Sequence, residues 1–319
     1  MPQLTIIIPH YHSTASLSRL IGTIPGSETI QIIVIDDHSD SNQQHELARI
    51  CRHHAHKNLV VHYNEPGKKG AGACRNIGLN HAEGKWILFA DADDYFTEGF
   101  YDRLQPYFQS SADIIFFKPT SIENDTGNRS DRHLSFVTLI DEVMRAPRSE
   151  EAECSLRYKF VVPWSKLMRA SFINDYQIQF DEVMSANDVM FSTKAGYHMT
   201  TFQVSDDVIY CATTTKGSLT KTLNDDIFNT RLDVFIRQYR FLQTRLSKTA
   251  FKKLGLTGRP LLLKAADYGW KKVMTVFLKL KRQKVRLIEP KLFNPVWFFR
   301  NAVFVYQRQK RERNYHLKG

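Results

Sequence analysis

The stretch GACRNIGLNHAEGKWILFADADD, residues 72–94, decides the fold. Its first part predicts a helix, and the apolar run Trp86–Phe89 that follows predicts a short buried strand. Asp91, Asp93 and Asp94 come directly after that strand. One Asp-Asp pair at a strand end is usually a solvated turn, but three mutually repelling carboxylates indicate a divalent cation that neutralises them.

The same alternation extends towards the N-terminus. Apolar, β-branched runs predict strands at residues 4–11, 30–40, 58–67 and 84–94. Amphipathic segments predict helices at residues 13–24, 43–54 and 72–82, with Ser13 as a candidate cap of the first. Strands that alternate with helices are typical of right-handed crossovers. The sequence therefore predicts an α/β, Rossmann-like fold with a mostly parallel central sheet flanked by helices.

Four polar clusters follow these four strands, at residues 9–13, 36–40, 64–76 and 91–94. In open α/β sheets, ligands bind beyond the carboxyl ends of the strands. Magnesium or manganese takes a few carboxylates and completes its shell with water and substrate phosphates. The shared edge thus predicts a site for a phosphate-bearing substrate.

The second half is less regular. Strands are predicted at 112–122 and 201–215, and a strand-like YQIQF at 176–180. Residues 133–158 look partly helical, a further helix begins near Asn187, and from about Asp225 the chain becomes helical and basic. With 319 residues, one large domain with an appendage, or two domains, is expected.

Composition narrows the setting. The chain is 42% hydrophobic and 24% charged, as in ordinary globular proteins. The four cysteines form no CxxC pair, so reduced thiols are expected rather than disulfides or zinc. We expect no signal peptide at MPQLTIIIPHYHS and no spanning helix, because no apolar run reaches eighteen residues. These features predict a cytoplasmic location.

The net charge of +11 is concentrated at the C-terminal end, where residues 259–319 hold 16 Lys and Arg against 3 Asp and Glu. Aromatic and aliphatic residues alternate there with the basic ones, as around Trp270 and Trp297. Such a pattern favours a helix lying on an anionic membrane surface. The alternatives are a nucleic-acid-binding tail and a helical cap packed on the protein with a solvated basic side. We expect the membrane surface and no nucleic acid partner.

Three segments of the N-terminal half together resemble family 2 glycosyltransferases of the GT-A fold, of the bacterial surface-polysaccharide and lipopolysaccharide type. They are LTIIIPHYHSTASLSRLI, QIIVIDDHSD and KKGAGACRNIGLNHAEGKWILFADADD. The family pattern is an IIP-x-Y start, a V-D-D-x-S turn that binds uracil, an A-R-N-x-G helix and a D-x-D-D metal turn. The match covers about residues 4–100, with weaker similarity to about residue 220. The resemblance implies Mn²⁺ or Mg²⁺ and a nucleotide-diphosphate sugar, with a UDP-sugar expected.

The resemblance also implies roles for individual residues of the nucleotide half. Pro9 and Tyr11 would line the nucleotide pocket, Asp37 would meet the base, and Asp36 would support that turn. The residues implied to contact the nucleotide, its ribose, its phosphates or the metal are Arg75, Asp91, Ala92, Asp93 and Asp94. Which aspartate binds the metal directly is left open, and Asp94 could instead lie on the acceptor side.

On the acceptor side the family carries a Glu-Asp motif that supplies the general base, and MSANDVMF places Asp188 on that aspartate and Asn187 where glutamate is common. A carboxylate within reach of the acceptor hydroxyl can take its proton. The alternative is that Asn187 caps a helix and Asp188 stabilises its first turn.

Two further segments resemble the family. In VVPWSKLMRASF, Trp164 could stack on a sugar or belong to the core, and Lys166 could reach a phosphate or a carboxylate. In TTTKGSLTK, Lys216 and Ser218 would close over the diphosphate. His10 and His12 alternate along the first strand, which is compatible with a two-histidine metal site but favours a polar strand end.

We hypothesise that the protein is a metal-dependent inverting hexosyltransferase with a glycan or lipid-linked acceptor. It would be a peripheral protein on the inner face of the cytoplasmic membrane, and it could form an oligomer. Residues 1–224 would form the GT-A domain, with a nucleotide-sugar half (1–100) and an acceptor half (101–224), and residues 225–319 a helical, membrane-associating region. The alternatives are a catalytically degenerate scaffold, a receiver-like module and an aspartyl-phosphate phosphohydrolase. The last would carry its aspartates after the first strand.

Overall fold

The computed structural model describes residues 2–55, 57–214 and 224–287. The chain divides into two compact units. The first contains Met1–Ser121 and Arg132–Thr213, and the second contains Ile122–Asp131 and the chain from Thr214 onward. We expected the domain boundary at residues 224/225, whereas the second compact unit begins at Thr214. The ten-residue hairpin segment 122–131 also belongs to this C-terminal unit.

One mixed eight-stranded sheet forms the centre of the first unit. In chain order its strands are β1 (Leu4–His10), β2 (Ile30–Asp36), β3 (Asn58–Tyr63), β4 (Trp86–Phe89), β5 (Tyr95–Phe96), β6 (Ile114–Glu123), β7 (Lys166–Arg169) and β8 (Phe202–Thr214). Their order across the sheet is β3-β2-β1-β4-β7-β6-β8-β5. β1 runs parallel to β2 and β4, and β2 runs parallel to β3. β7 is antiparallel to both β4 and β6, and β5 is antiparallel to β8.

Helices cover this sheet, and further helices form most of the second unit between residues 225 and 282, apart from the hairpin segment 122–131. Those of the first unit are α1 (Thr14–Thr23), α2 (Ser41–His53), α3 (Ala71–Asn80), α4 (Phe100–Leu104), α5 (Leu134–Arg145), α6 (Glu150–Lys159), α7 (Ala170–Asp175) and α8 (Asn187–His198). Those of the second unit are α9 (Asp225–Arg245), α10 (Lys248–Leu254), α11 (Arg259–Ala265) and α12 (Trp270–Arg282). The predicted fold class is confirmed.

The continuous apolar runs of β1 and β2 arise because both faces of the sheet are covered. Ile6 and Ile8 belong to one core with residues of α1 and α2, whereas Ile7 and Ile33 belong to a second core on the other face. α3 lies close to that second face at Gly78, where an added Cβ would come 2.4 Å from Cγ2 of Ile7. A glycine at this position lets the helix that carries Arg75 pack directly on β1.

The strand predicted at YQIQF is wrong, because residues 176–180 form a turn and an extended segment outside the sheet. Ile178 and Phe180 are nevertheless buried, so their alternation reflects packing on the core rather than strand pairing. Conversely, β7 was not predicted. Its four residues, KLMR, carry two cations, and their strand conformation depends on pairing with β4 and β6.

The second unit contains an amphipathic helix with two different apolar faces. In α12, Val276 and Leu280 are buried, whereas Trp270, Met274 and Leu278 are 73%, 39% and 45% exposed. These three follow one another at intervals of four residues and so lie on one face. Among the described residues, no helix has both the length and the apolar character that crossing a membrane requires.

Candidate active site

Asp36 and Asp37, at the carboxyl end of β2, are both buried. Oδ2 of Asp36 accepts a hydrogen bond of 3.0 Å from the backbone N–H of Ser39, which holds the turn after β2. Asp37 accepts from Nδ2 of Asn64 at 2.7 Å and from the backbone N–H of Gly70 at 2.8 Å. Asp37 therefore ties the end of β2 to the end of β3 and to the start of α3.

Tyr11 lies at the same edge and is 48% exposed, whereas Pro9 is buried within β1. The ammonium of Lys69 lies 5.0 Å from the centre of the Tyr11 ring, a cation–π distance. The exposed aromatic ring and the nearby cation are suited to a base and its phosphates.

The two histidines of this edge face different partners. His10 is buried, with Nδ1 2.9 Å from Oγ of Ser13 and Nε2 3.8 Å from Oδ1 of Asp36. His12 is exposed and pairs with Asp40 at 3.4 Å. The structure thus gives the polar strand end rather than a two-histidine metal site. Because Ser13 contacts His10, its side chain does not cap α1.

Arg75 connects the three segments that carry the other predicted residues. Its side chain is 6% exposed and donates to Oδ1 of Asp91 at 2.5 Å and to Oδ1 of Asn187 at 2.8 Å. The guanidinium also lies 5.2 Å from the centre of the Phe180 ring. One side chain of α3 therefore holds the turn after β4 against the start of α8.

The three aspartates after β4 lie close together. Asp91, Asp93 and Asp94 each offer a carboxylate oxygen, and these oxygens lie within 4.8 Å of one another. Partial desolvation and the charge of Asp91 raise the pKa of Asp93, although Asp93 remains accessible to solvent. The mutual repulsion and the all-oxygen donor set fit a hard divalent cation such as Mn²⁺ or Mg²⁺.

Asp94 differs from its neighbours because it is fully buried. Its two oxygens accept from the hydroxyl of Tyr210 at 2.7 Å and from the backbone N–H of Thr213 at 2.6 Å. Burial, followed by the charges of Asp93 and Asp91, raises its pKa well above the usual value. Asp94 therefore anchors the turn to β8, and Asp91 and Asp93 are the carboxylates open to a ligand.

Tyr210 and Arg132 complete the surroundings of this cluster and were not predicted. The Tyr210 hydroxyl also accepts a hydrogen bond of 2.9 Å from the backbone N–H of Asp91. Arg132 donates to the carbonyl of Thr213 at 2.6 Å. Burial lowers the pKa of Arg132, but Asp94, Asp91 and Asp93 more than offset this and raise it. Both residues lie far from the aspartates in sequence, and no local motif marks them.

Asp188 occupies the first turn of α8. Burial is the largest cause that raises the pKa of its carboxyl, the charge of Asp91 adds to it, and Arg75 and Lys166 oppose it in part. A raised pKa makes a carboxylate a stronger base than one with its ordinary pKa. The residue before α8 is Ala186, with φ +59°, so Asn187 is helical and binds Arg75 instead of capping.

The acceptor roles expected for Trp164 and Lys166 are wrong, because the two side chains are 1% and 2% exposed. Trp164 stacks on Tyr210, with ring centres 5.4 Å apart, and so belongs to the core. The Lys166 ammonium donates to the carbonyl of Phe160 at 2.5 Å and to Oγ of Ser192 at 3.3 Å. Burial lowers its pKa to about 7. Lys216 and Ser218 lie outside the described residues.

An α/β sheet that gathers an acidic turn, a D-x-D-D cluster and the half-buried carboxylate of Asp188 at one edge has the arrangement of a GT-A glycosyltransferase. The family model for Glycosyl transferase family 2 matches residues 5–176, and the chain belongs to that family. The predicted family and the presence of a glycosyltransferase domain are thus confirmed, and the phosphohydrolase and receiver alternatives are set aside.

Several relatives build bacterial surface polymers. TarS of Staphylococcus aureus, a poly(ribitol-phosphate) beta-N-acetylglucosaminyltransferase, is 26% identical over 226 residues, which cover 68% of this chain and 36% of TarS. The minor teichoic acid biosynthesis protein GgaB of Bacillus subtilis is 30% identical over 159 residues, covering 47% of this chain and 17% of GgaB. The match thus spans about a third of TarS and a sixth of GgaB.

Solved structures of similar fold contain nucleotide ligands. TarS 1–349 in complex with UDP-GlcNAc has a TM-score of 0.61 and 22% identity, over 89% of this chain and 78% of that one. The mannosyltransferase PcManGT from Pyrobaculum calidifontis, in complex with GDP-Man and Mn²⁺, has a TM-score of 0.54 and 13% identity, over 99% and 85%. At these identities the likeness establishes the fold.

Proposed function

We propose that this protein is a metal-dependent, inverting hexosyltransferase that moves a sugar from a nucleotide diphosphate, with UDP-sugar as donor, to a hydroxyl of a glycan or lipid-linked acceptor. The observation that carries the proposal is the Arg75 bridge. A single buried guanidinium joins Asp91 of the acidic turn to Asn187, the residue beside Asp188. The bridge supports the proposal because it holds the acidic turn, the proposed donor side, close to the start of α8, which carries the proposed base.

Each polar group of the donor half has a proposed role. Tyr11 and Asp37 would receive the base, as the family resemblance implies, and Lys69 and Arg132 would add positive charge along the phosphates. Asp91 and Asp93 would hold the divalent cation, which, when bound, neutralises charge on the departing diphosphate. Asp94 keeps the turn in place through Tyr210 and Thr213.

Asp188 acts as the general base on the acceptor side. It takes the proton of the acceptor hydroxyl while that oxygen bonds to the anomeric carbon. The bond from this carbon to the diphosphate breaks in the same displacement, and the configuration inverts. The raised pKa of Asp188 favours the transfer, because a carboxylate with its ordinary pKa would be a weaker base.

The relatives support the substrate class. TarS is a poly(ribitol-phosphate) beta-N-acetylglucosaminyltransferase, and a Bacillus spizizenii relative, 25% identical over 223 residues, is a poly(ribitol-phosphate) beta-glucosyltransferase. Both names describe hexosyl transfer to a surface polymer. We therefore infer an acceptor in surface polysaccharide or teichoic acid assembly, with glucose or an N-acetylhexosamine as the first donors to test.

We further propose that the C-terminal unit lies on the inner face of the cytoplasmic membrane. The support is α12, where Trp270, Met274 and Leu278 form an exposed apolar row. Lys271, Lys281 and Arg282 are exposed on the same helix. An apolar row with basic residues beside it suits the boundary between lipid headgroups and acyl chains. A lipid-linked acceptor would be found there.

The test is a panel of UDP- and GDP-sugars with Mn²⁺ or Mg²⁺, with and without chelator, scored by release of the nucleotide diphosphate. Wild type should release it from one donor, and both chelator and Asp93→Ala should abolish the release. Asp102→Ala, at an exposed position of α4, should behave like wild type. If calorimetry shows no metal-dependent nucleotide binding to wild type, the transferase proposal fails and a degenerate scaffold remains.

A further inference from the structure

A polar cavity of about 350 Å³ lies away from the acidic cluster, against the C-terminal end of α3. Four carboxamide residues form its walls, and Leu79, Ile173 and Ile178 supply its apolar surface. The four are Asn80, Asn174, Gln177 and Gln179, and we call the cavity the carboxamide pocket. Its volume lies within the range of about 300–1,000 Å³ that is usual for sites of small ligands.

The four carboxamides are available to a ligand. In the part of the chain that the structure describes, their side chains make no hydrogen bond to protein, and all four residues are exposed. Asn76, the fifth carboxamide of the lining, is already used, because it accepts from the N–H of Phe180 at 2.8 Å and donates to its carbonyl at 3.0 Å. The pair of hydrogen bonds between Asn76 and Phe180 therefore lies beside four carboxamides that are free to bind a ligand.

The lining indicates the chemistry of the ligand. Each carboxamide offers two N–H donors and one carbonyl acceptor, which matches hydroxyl groups that both give and take hydrogen bonds. Among the residues that the structure describes, no charged side chain lines the pocket, so a phosphate or carboxylate would find no counter-charge there. Ile173 and Ile178 are buried and present CH surface. A neutral molecule with several hydroxyls and an apolar face fits these groups.

One face of α3 links the pocket to the catalytic side. Gly72, Asn76 and Asn80 are spaced by four residues and lie along that face. An added Cβ at Gly72 would lie 3.0 Å from Cβ of Asn187, which precedes Asp188. Asn76 holds Phe180, and Asn80 lines the pocket. Eight residues of helix rise about 12 Å, so the pocket lies about that far along α3 from the start of α8.

We propose that the carboxamide pocket is a second carbohydrate-binding site, which holds a neutral polyhydroxylated unit of the acceptor or product chain at a distance from the reacting hydroxyl. This inference rests on the proposed transferase function for its biological meaning. The shared chemistry allows a pyranose ring or an open-chain polyol. Segment 178–187 runs from the pocket to Asp188 along α3, so a bound unit there would position a longer acceptor across the base.

The binding test uses saturation-transfer NMR on the full chain, with chelator present. The probes are methyl glucoside, methyl galactoside and N-acetylglucosamine for the rings, and ribitol and glycerol for the polyols. We expect a saturation-transfer signal from at least one probe. Whether a ring sugar or a polyol gives the signal identifies which kind of ligand the pocket binds. The double variant Asn174→Leu/Gln177→Leu should weaken that probe's affinity about tenfold or more, because two hydrogen-bonding walls are lost.

Two further variants keep the result unambiguous. Asn80→Leu removes the carboxamide that α3 contributes to the pocket and should also weaken binding, whereas Gln109→Leu, exposed elsewhere in the same unit, should not. No signal from any probe, or equal affinity in wild type and the pocket variants, overturns the inference. With no acceptor present, release of nucleotide diphosphate by the pocket variants should equal that of wild type, because the donor site is unchanged. The two experiments therefore test the carbohydrate-binding pocket and the transferase function separately, and either proposal can be refuted while the other is supported.

Discussion

The guanidinium of Arg75 is buried between acceptors on separate elements, Asp91 after β4 and Asn187 at the start of α8. A buried charge is tolerated when it is paired and hydrogen-bonded, and removal of one partner leaves the other uncompensated. Arg fits this position because its planar fork reaches two acceptors at once, which the single ammonium of Lys does not. The positions of Asp91 and Asp188 therefore depend on the same side chain.

Asp188→Asn should lower turnover by a factor of about 10²–10⁴, because the amide cannot take the acceptor proton. Metal-dependent nucleotide binding should persist. Burial raises the pKa of Asp188 above its ordinary 3.8, so the wild-type rate should rise with pH through that raised pKa and then level off. Steady-state turnover measured across a range of pH tests both the loss of turnover and the pH dependence. The exposed Asp206→Asn is the control, and a variant that keeps wild-type turnover would remove Asp188 from the mechanism.

Lys166→Met should change how stability depends on pH. The folded-state pKa of about 7 lies below the ordinary 10.5, so between these values the unfolded chain binds more protons. The wild-type free energy of unfolding should therefore rise with pH in that window, by up to about 1.4 kcal/mol per pH unit relative to the variant. The gain in the free energy of unfolding from deprotonating Lys166 is complete above pH 10.5 and is lost as pH falls towards 7.

Denaturant unfolding of wild type and Lys166→Met from pH 7 to pH 9.5 measures that difference. Lys159→Met, at an exposed position of α6, should leave the slope of wild type unchanged. Parallel curves for wild type and Lys166→Met would mean that Lys166 keeps its proton in the folded state throughout.

At the scale of elements, the close approach of α3 to segment 178–187 sets the shape of the acceptor side. An added Cβ at Gly72 would come 2.1 Å from the carbonyl oxygen of Asp181. Only glycine leaves room for a backbone atom so near, and the contact is maintained by Asn76 one turn later.

Gly72→Ala should destabilise the protein by about 1–3 kcal/mol, because the backbone of 178–187 must move to accept the methyl group. Gly22→Ala is the matched control within α1, where an added Cβ would meet no atom within 4 Å. That substitution should stabilise by about 0.5–1 kcal/mol through helix propensity. Chemical denaturation compares the two, and effects of equal sign and size would refute the close contact at Gly72.

At the scale of the whole molecule, the charge is unevenly divided. Residues 259–319 hold 16 of the 44 Lys and Arg and only 3 of the 33 Asp and Glu. If the C-terminal region contacts anionic lipid as proposed, the long-range attraction would be concentrated there and would weaken as salt screens it. The exposed row on α12 would add a short-range apolar contribution to the proposed membrane contact.

Trp270→Ser/Leu278→Ser should lower binding to phosphatidylglycerol vesicles by about tenfold or more, because two large apolar side chains no longer enter the lipid boundary. Co-sedimentation at low and high salt measures both contributions. Tyr63→Ser, which changes an exposed aromatic residue of β3, should bind like wild type. If the double variant and wild type bind vesicles equally, the α12 face has no part in membrane contact.

The sequence by itself determined the parallel half of the sheet and the residues at its edge. Apolar runs with period and length typical of buried strands, separated by amphipathic helices, predict β1 to β4 and α1 to α3 from local information. Because parallel strands end at one edge, the convergence of Asp37, Arg75 and Asp91 follows from chain order.

Only the tertiary structure decided which side chains remain open there. Asp94 is satisfied by Tyr210 and Thr213, and Trp164 by stacking on Tyr210, through contacts between residues 46 to 119 positions apart. The strand β7, the carboxamide pocket and the exposed row on α12 likewise depend on which neighbours cover a given face. A sequence records the chemistry of each side chain, but burial and pairing are properties of the packed chain, and these decide whether that chemistry is available.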